Sequence, residues 1–355
     1  MESRKESNDE IKKIHKNEQD EPWPSSEQIL CIGGANLDRK IMVKGTFQLH
    51  TSNPSSTRLQ SCGGVARNVA ENLGRLSRRV SLLTAVGDDA EGEFIIEQSS
   101  RYMHVIPLQV KGESSTGVYT ALLNEHGEMI VATAEMEIYD QIRPSVIFEN
   151  IPLIASSRLV LLDTNFSMNV IAATIHVCQE HQVPLVVSSV SASKMRKLPR
   201  NLHGVEWLVC QPEEAEAYLG LELKDDQQIL DAARVFHKLG VQNVIIICSA
   251  EHVLFASQDG THGQIPIPPV QQVIDVTGAD DAFIAGMIYG ITQGYPMEQV
   301  CQFGISCVDL TIQTDRTVSD TISVNKLHSR FQELYGTHSQ NFVFFKGVYF
   351  KKKNT

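Results

Sequence analysis

The sequence predicts an α/β protein built on a central, mostly parallel sheet, and three observations support this prediction. From residue 28 onward, short runs rich in β-branched residues alternate with amphipathic helical patterns, as expected when helices cover both faces of a parallel sheet. An apolar content of 42% in 355 residues is enough for the core of one large α/β domain or of two small ones. The longest apolar runs have strand length, far below a membrane span. The predicted strands cover residues 29–32, 80–85, 158–162, 184–187, 207–209 and 244–247.

The two ends of the chain differ in composition from the region between them. Residues 1–27 are mostly charged or small and polar, so they cannot bury enough apolar surface to offset the entropy of ordering, and they are predicted to form a flexible N-terminal segment. Residues 331–355 form a C-terminal tail that is aromatic and then basic, and no function is assigned to it. The folded domain is therefore expected over residues 28–330.

One segment interrupts the alternation of strands and helices. Residues 116–123 and 128–134 have strand character and are joined only by residues 124–127 (Asn-Glu-His-Gly), which indicates a β-hairpin with no helix between its strands. In a parallel α/β fold the ligand lies beyond the carboxyl ends of the strands. A hairpin that leaves the main sheet is therefore a candidate lid over that ligand.

Charge and cysteine content limit the classes of partner. A formal net charge of -11 opposes binding to phosphate backbones, so a small-molecule substrate is expected rather than a nucleic acid. The seven cysteines include no CxxC pair, which indicates reduced thiols in the cytoplasm and neither a disulfide nor a structural zinc. The charged N-terminus and the short apolar runs predict no association with a membrane.

Residues 275–283 (DVTGADDAF) carry the clearest functional signal. Gly278 and Ala279 have little or no side chain and precede an apolar helical pattern, so the main-chain N–H groups of a helix N-terminus can approach an anion closely. Asp281, in the first turn of this helix, can accept the proton of a substrate hydroxyl that attacks a phosphoryl group. A single Asp at a helix start is more often a plain cap, but the nine-residue string is more specific than that.

This string resembles the DTGAGD signature of the ribokinase-like (PfkB) carbohydrate kinases, and the resemblance covers about residues 28–330. It implies a ribokinase-like three-layer sandwich with a small β lid, whose strands are expected at about residues 36–50 and 112–135. It also implies ATP and Mg2+ as ligands, with a monovalent cation as a further candidate, and a homodimer formed through the lid. The anion hole would consist of Gly278, Ala279 and Asp280, with Asp281 as the catalytic base.

Two further resemblances predict the residues that bind the acceptor. Residues 33–38 (GGANLD) resemble the family's first strand and turn, in which the Asp binds sugar hydroxyls, and residues 63–70 (GGVARNVA) resemble its second signature, in which the glycines and the Asn contact the sugar. A VGDD turn at residues 86–89 strengthens the match. Two candidate lid contacts and one residue at the end of a central strand complete the set, which is Asn36, Asp38, Gly63, Gly64, Asn68, Thr116, Tyr119 and Asn165. For Tyr119, simple packing on the sheet is an equally good interpretation.

Within the family, residues 63–76, the hairpin and the strand end at residues 162–165 are most similar to pseudouridine kinases. The implied reaction transfers the ATP γ-phosphate to the 5′-hydroxyl of pseudouridine or of a related nucleoside or ribosyl sugar. Another acceptor, such as ribose or a fructose phosphate, remains an alternative. Arg67 lies beside Asn68 in the second signature, and although its charge can bind an anion, a salt bridge along the helix face is its favoured role.

The nucleotide side of the site is represented by two weaker motifs. The family's NxxE motif, which helps to position Mg2+ and phosphates, corresponds to Gln211 and Glu214, with Gln in place of Asn. Glu214 is therefore the candidate residue for indirect contact with Mg2+. Residues 247–252 lack the Thr and the glycines of the family's nucleotide loop, and within them Ser249 and Glu251 are the candidate nucleotide contacts.

Asp280 is a further departure on this side, because it replaces a glycine of the GAGD core and adds a carboxylate to the phosphate cradle. Two like charges about 4 Å apart interact by roughly 4 kcal/mol at an effective dielectric constant near 20. A backbone that needs a positive φ would add strain. Ser188 and Ser189 also replace an Asp-Pro pair. Two hypotheses follow: a working kinase, and a non-catalytic relative that binds a nucleoside or sugar as a sensor or partner subunit.

Overall fold

The computed structural model describes residues 27–110, 114–249, 251–270 and 272–336. The predicted flexible segment, apart from Glu27, and the tail beyond Gly336 lie outside these ranges. The strands are β1 (Ile29–Ile32), β2 (Asn36–Val43), β3 (Ser55–Gly63), β4 (Val80–Val86), β5 (His104–Gln109), β6 (Val118–Leu123), β7 (Met129–Glu135), β8 (Leu159–Asp163), β9 (Leu185–Ser188), β10 (Trp207–Cys210), β11 (Asn243–Cys248), β12 (His252–Ser257) and β13 (His262–Pro266). The α-helices are α1 (Val65–Arg75), α2 (Ala90–Ser99), α3 (Ser145–Glu149), α4 (Ile151–Ala155), α5 (Met168–Glu180), α6 (Ala192–Met195), α7 (Pro212–Leu219), α8 (Asp226–Leu239), α9 (Ala279–Thr292), α10 (Met297–Ile312) and α11 (Val324–Tyr335), and a 3-10 helix covers Glu137–Gln141.

Within the described ranges, the larger sheet has nine strands in the order β13-β12-β11-β10-β9-β8-β1-β4-β5. Every pairing from β11 to β5 is parallel, and the pairings of β12 with β11 and β13 are antiparallel. The six strands predicted for this sheet are confirmed to within one residue at each end. The prediction of a central, mostly parallel sheet is therefore confirmed.

Alternation along the central strand β1 explains why helices cover both faces of this sheet. Leu30 and Ile32 enter one core cluster, which includes side chains of α5, α7 and α8, and Ile29 and Cys31 enter a second, which includes side chains of α1, α9 and α10. Because successive side chains of a strand point to opposite faces, a strand that is apolar at every position needs a cover on both sides. The three-layer sandwich is confirmed. Among the described residues, no helix is both long and apolar enough to cross a membrane.

The smaller sheet has the order β3-β2-β6-β7, and β2, β6 and β7, but not β3, lie in the segments in which lid strands are expected. The β6-β7 hairpin is antiparallel with its turn at residues 124–127, as predicted, and residues 111–113 before it are outside the described ranges. The strand expected over residues 36–50 ends earlier, at Val43, because the chain turns through Gly45, which has a φ of 70°. Strand β3 was not predicted, since its sequence SSTRLQSCG is mostly polar.

Candidate active site

The phosphate cradle lies where helix α9 begins, at the mouth of a cavity of about 220 Å³. Gly278 precedes the helix with a φ of 81°, and a Cβ atom at this position would lie 2.1 Å from the carbonyl oxygen of Thr317. Only glycine fits such a turn without displacing the neighbouring backbone. The first N–H groups of a helix have no partner within it, so such a turn offers donors to an anion. The N–H of Ala279 is an exception, because it donates a 3.1 Å hydrogen bond to the carbonyl oxygen of Val276. Gly278, Ala279, Asp280 and Asp281 all line the cavity.

Asp281 lies in the first turn of α9 and is only 7% exposed. Its Oδ2 atom accepts a hydrogen bond of 2.9 Å from Nδ2 of Asn68 on helix α1. Burial raises the pKa of the Asp281 carboxyl to about 7; the Asn68 hydrogen bond opposes this rise, and the negative charges of Asp280, Asp163 and Asp38 add to it. A carboxyl group with such a pKa can exchange a proton near neutral pH, as a general base must.

On the acceptor side, the predicted residues of the first and second motifs meet. Asn36 donates a hydrogen bond of 2.7 Å from Nδ2 to Oδ1 of Asp38, and burial raises the pKa of Asp38. A Cβ atom on Gly63 would lie 2.2 Å from Oδ2 of Asp38, so the lack of a side chain there leaves room for this carboxylate. Gly64 has a φ of 98° at the start of α1. The structure therefore places Asn36, Asp38, Gly63 and Gly64 side by side.

Asp163, at the end of the buried strand β8, organises these turns, and sequence reasoning did not identify it. Its Oδ2 atom accepts hydrogen bonds from the main-chain N–H groups of Gly34 (2.8 Å) and Ala66 (3.0 Å), and its Oδ1 atom accepts one from Asn165 (2.9 Å). One buried carboxylate thereby fixes three backbone segments of the acceptor side. A carboxylate that ends an apolar strand run was the available signal.

Asn165 faces two lysines rather than open space. The Lys194 ammonium contacts its Oδ1 atom, and Nζ of Lys197 donates a hydrogen bond of 2.9 Å to its carbonyl oxygen. Burial lowers the pKa of Lys194, and the nearby Asp163 carboxylate opposes that shift. Lys194 is thus a cation close to the acceptor side that the sequence motifs did not indicate.

The two candidate lid contacts have different surroundings. Thr116 is 1% exposed; its hydroxyl donates to Oδ1 of Asp89 (2.6 Å) and accepts from the N–H of Gly87 (2.9 Å), so it is occupied within the protein. Tyr119 is half-buried on β6 and is the register partner of Asp38 on β2, and its hydroxyl lies 3.6 Å from Sδ of Met129. Tyr119 is therefore the better placed of the two for contact with a ligand.

On the nucleotide side, two of the residues that depart from the family pattern contact each other. Gln211 donates a hydrogen bond of 2.9 Å from Nε2 to Oδ2 of Asp280. Desolvation by the surrounding protein raises the pKa of Asp280, and the hydrogen bond from Gln211 opposes this shift. Asp280 belongs to helix α9 and does not have a positive φ, so the expected backbone strain at this position is wrong. The longer side chain of Gln211 spans the distance to the added carboxylate.

Glu214 is buried in the wall of the same cavity. Its Oε2 atom accepts a hydrogen bond of 2.8 Å from the N–H of Gln211 and contacts the hydroxyl of Ser189, so Glu214 also caps helix α7. Burial raises its pKa, the two hydrogen bonds oppose that rise, and Asp280 adds to it. The carboxylate is thus held in place at the cavity, where it can meet a hydrated cation.

The remaining nucleotide candidates lie farther from the cavity. Ser249 and Glu251 are exposed in the turn between β11 and β12, and neither lines the cavity. Val190, which does line it, has a φ of 62° in a tight turn closed by a 2.7 Å hydrogen bond from the N–H of Ser191 to the carbonyl oxygen of Ser189. A β-branched residue in this conformation is strained, and such strain is concentrated at functional sites. No sequence motif indicated Val190.

Comparisons with known proteins identify the family of this chain. Residues 26–323 match the model of the pfkB family carbohydrate kinases. The pseudouridine kinase of Escherichia coli (strain K12) is 28% identical over 300 residues, which cover 84% of this chain and 94% of that protein. The uncharacterized sugar kinase YeiI of the same organism is 27% identical over 304 residues, covering 84% of this chain and 83% of that protein.

Solved structures agree with the fold. A carbohydrate kinase from Agrobacterium tumefaciens has a TM-score of 0.77 at 25% identity and covers 86% of this chain and 97% of its own. The ribokinase of Arabidopsis thaliana, complexed with ribose and ATP, has a TM-score of 0.74 at 17% identity over 86% of this chain and 99% of its own, which shows a shared fold. The ribokinase-like fold is confirmed. Since the family model covers most of the chain, the protein belongs to the pfkB family of carbohydrate kinases.

Proposed function

We propose that this kinase transfers the γ-phosphate of ATP to the 5′-hydroxyl of pseudouridine or of a closely related nucleoside. The observation that carries the proposal is the position of Asp281, which lies in the first turn of the cradle helix and is hydrogen-bonded to Asn68 on the acceptor side. One carboxylate therefore borders both the place for a phosphate and the place for a sugar. Similarity to a pseudouridine kinase supports the choice of acceptor.

Each residue of the site has a separate role in the proposed phosphoryl transfer. The acceptor hydroxyl gives its proton to Asp281 while its oxygen attacks the γ-phosphorus, and ADP is the leaving group. The N–H groups of Gly278, Asp280 and Asp281 stabilise charge that develops on the phosphoryl oxygens, while that of Ala279 already donates to the carbonyl oxygen of Val276. Bound Mg2+ supplies neutralisation of phosphate charge, and Glu214 is the residue that would orient its water shell. Among the described residues no cluster of three metal-ligating side chains exists, which suits an ion held mainly by phosphate oxygens and water.

The acceptor is held by groups on both sides of the cleft. Asp38, fixed by Asn36, accepts hydrogen bonds from ribose hydroxyls, and the lack of a side chain at Gly63 leaves room for the Asp38 carboxylate. A Cβ atom on Gly64 would lie 2.4 Å from the carbonyl oxygen of Gly34, so this glycine lets the turns of the two motifs pack closely. Tyr119 lies on the lid strand next to Asp38 and provides an aromatic surface for a base. A lid that closes over the sugar excludes water from the transferring phosphoryl group.

The test is a comparison of acceptors with purified protein and magnesium-ATP. We expect ADP and a phosphorylated product with pseudouridine, a higher kcat/KM for pseudouridine than for uridine, and still lower values for ribose and fructose 6-phosphate. A higher kcat/KM for ribose or for the fructose phosphate would replace the nucleoside with a sugar as the acceptor. Absence of product with every acceptor would contradict the kinase.

Asp280 supports a second candidate, a non-catalytic relative that binds a nucleoside as a sensor or partner subunit. Its carboxylate lines the cavity that must receive a triphosphate, and like charges repel there. Calorimetry with pseudouridine and with magnesium-ATP separates the two candidates. Micromolar nucleoside binding without measurable ATP binding is the result expected of the sensor, and binding of both ligands is expected of the kinase.

The lid is also the surface on which we propose a homodimer in the cytoplasm. Leu59 on β3 and Met129 on β7 are 57% and 63% exposed on the smaller sheet, and two copies of that sheet could cover them. Analytical ultracentrifugation is expected to give twice the mass of one chain for the wild type. A Leu59→Glu/Met129→Glu variant should sediment as a monomer, and a monomeric wild type would contradict the dimer.

A further inference from the structure

Arg67 lies in the first turn of α1 and is only 5% exposed, so protein groups surround its guanidinium. Its Nη1 atom donates to Oδ1 of Asn68 (3.0 Å) and to the carbonyl oxygen of Cys62 (3.3 Å), and Nε donates to Oγ of Ser99 (3.2 Å). Its Nη2 atom forms a buried ion pair with Glu71. The predicted helix-face salt bridge is thus confirmed, but it accounts for only one of these contacts.

The contact between Arg67 and Asn68 determines which way the Asn68 amide points. The guanidinium has only donors, so it selects Oδ1 of Asn68 and leaves the Nδ2 group to face Asp281. With the amide reversed, an NH2 group would face a cation and an oxygen would face the carboxylate of Asp281. The direction of the hydrogen bond to Asp281 therefore depends on Arg67.

A buried framework holds Arg67 in place. Glu71 also pairs with Arg75 at 2.8 Å, and the Arg75 guanidinium lies 4.2 Å from the centre of the Tyr102 ring. Removing one member of a buried ion pair leaves a charge without its partner, so this framework has few alternative arrangements. Arg67 is therefore held in one position, and its contact determines the orientation of the Asn68 amide.

We propose that Arg67 is a positioning residue for catalysis: it orients the Asn68 amide so that Asn68 donates to Asp281. This inference rests on the proposed function of Asp281 as the base. The hydrogen bond occupies Oδ2 of Asp281, and among the described residues Oδ1 receives no such bond, which leaves it for the acceptor hydroxyl. By stabilising the charged form of the carboxyl, the bond also opposes the rise of its pKa.

The other charged groups near Asp281 remain in place when Arg67 is replaced. They are Asp280 on the same helix, Asp163 at the end of β8, Asp38 on β2 and Glu214 across the cavity. All are carboxylates, and the negative charges of Asp280, Asp163 and Asp38 raise the pKa of Asp281. Asn68 is the hydrogen-bond donor that counteracts them, so loss of its orientation should move the titration of Asp281 upwards.

The experiment is a double-mutant cycle on the acid limb of the pH profile of kcat/KM. Arg67→Met should shift this acid limb to higher pH by about one unit. The value of kcat/KM should therefore fall about tenfold at pH 6 and change less at pH 9. In an Asn68→Ala background the same substitution should cause no further shift. Arg67→Lys keeps the charge but not the forked donor geometry, and it should reproduce most of the shift. Arg330→Met removes the bidentate pair with Asp309, and neither residue lines the cavity; it is the control and should leave the acid limb at its wild-type pH.

A second readout does not require activity and so distinguishes failure of this inference from failure of the proposed function. Because the folded pKa of Asp281 is raised, its contribution to stability is present below about pH 4 and is lost as the pH rises to about 7. Urea unfolding at several pH values, with and without Asp281→Asn, isolates this loss. In Arg67→Met the loss should extend about one pH unit higher. An equal shift in the Asn68→Ala background, or no shift in Arg67→Met or Arg67→Lys, would overturn the proposal.

Discussion

The hydrogen bonds in the half of the cleft predicted to bind the acceptor join different kinds of residue from those in the half predicted to bind the nucleotide. In the acceptor half, residues that match the family pattern contact one another, as Asn36 does Asp38 and Asn68 does Asp281. In the nucleotide half, two residues that depart from the pattern, Gln211 and Asp280, have formed a hydrogen bond with each other. A departure from a family motif is thus compatible with an ordered pocket, although the added negative charge remains.

The largest effect is expected at the junction of the two halves. Asp281→Asn removes the proposed base while keeping the size of the side chain, so kcat should fall about 10²–10⁴-fold with little change in nucleoside affinity. Steady-state kinetics and calorimetry measure the two quantities. In the wild type, kcat/KM should decline as the pH falls below about 7, because protonated Asp281 cannot accept the hydroxyl proton. Retention of wild-type kcat in Asp281→Asn would show that this carboxylate is not the base.

Within the nucleotide half, removal of the added charge should improve binding of the triphosphate. Asp280→Asn keeps a side chain that can bond to Gln211 and should lower the Kd for magnesium-ATP about tenfold, a change of about 1.4 kcal/mol. Asp280→Gly/Gln211→Asn restores the family residues at both positions and should act in the same direction. Fluorescence titration with an ATP analogue provides the measurement, and pseudouridine affinity is the control. Unchanged ATP affinity in both variants would refute the repulsion by Asp280.

A smaller effect is expected where the lid meets the cradle. Lys40 lies two residues after Asp38 on β2, and its Nζ atom is 3.5 Å from Oδ2 of Asp275, just before the cradle. Both side chains are partly exposed, and such pairs contribute up to about 1 kcal/mol. Lys40→Met should therefore raise the KM of the acceptor up to about fivefold at low salt and less at high salt. A KM that is unchanged at low salt would exclude the pair as a link between lid and cradle.

The smallest effect concerns the stability of the nucleotide half. Val190→Gly relieves the positive φ and should raise the free energy of unfolding by about 1 kcal/mol, measured by urea titration. Ser249→Gly is a matched variant, since Ser249 also has a positive φ but lies outside the cavity. A lower stability of Val190→Gly would mean that its side-chain contacts outweigh the strain of its backbone.

How much of this could be predicted from the sequence depends on how local each signal is. Strands β1, β4 and β8 to β11 were found because each is a short apolar run, and the cradle because nine consecutive residues form it. Strand β3 was missed because its sequence SSTRLQSCG contains no apolar run to detect. The bond between Gln211 and Asp280 joins positions 69 residues apart, and that between Asn68 and Asp281 joins positions 213 apart. Only the folded chain brings such pairs together.

The most direct test is a single-turnover reaction of excess protein with magnesium-ATP and pseudouridine, followed by mass spectrometry of the product. Wild-type protein should yield one pseudouridine 5′-monophosphate and one ADP for each turnover, and Asp281→Asn should yield neither on the same timescale. Absence of the monophosphate from the wild type, although pseudouridine binds, would contradict transfer of a phosphoryl group by this cleft. Equal yields from the two proteins would contradict the role of Asp281.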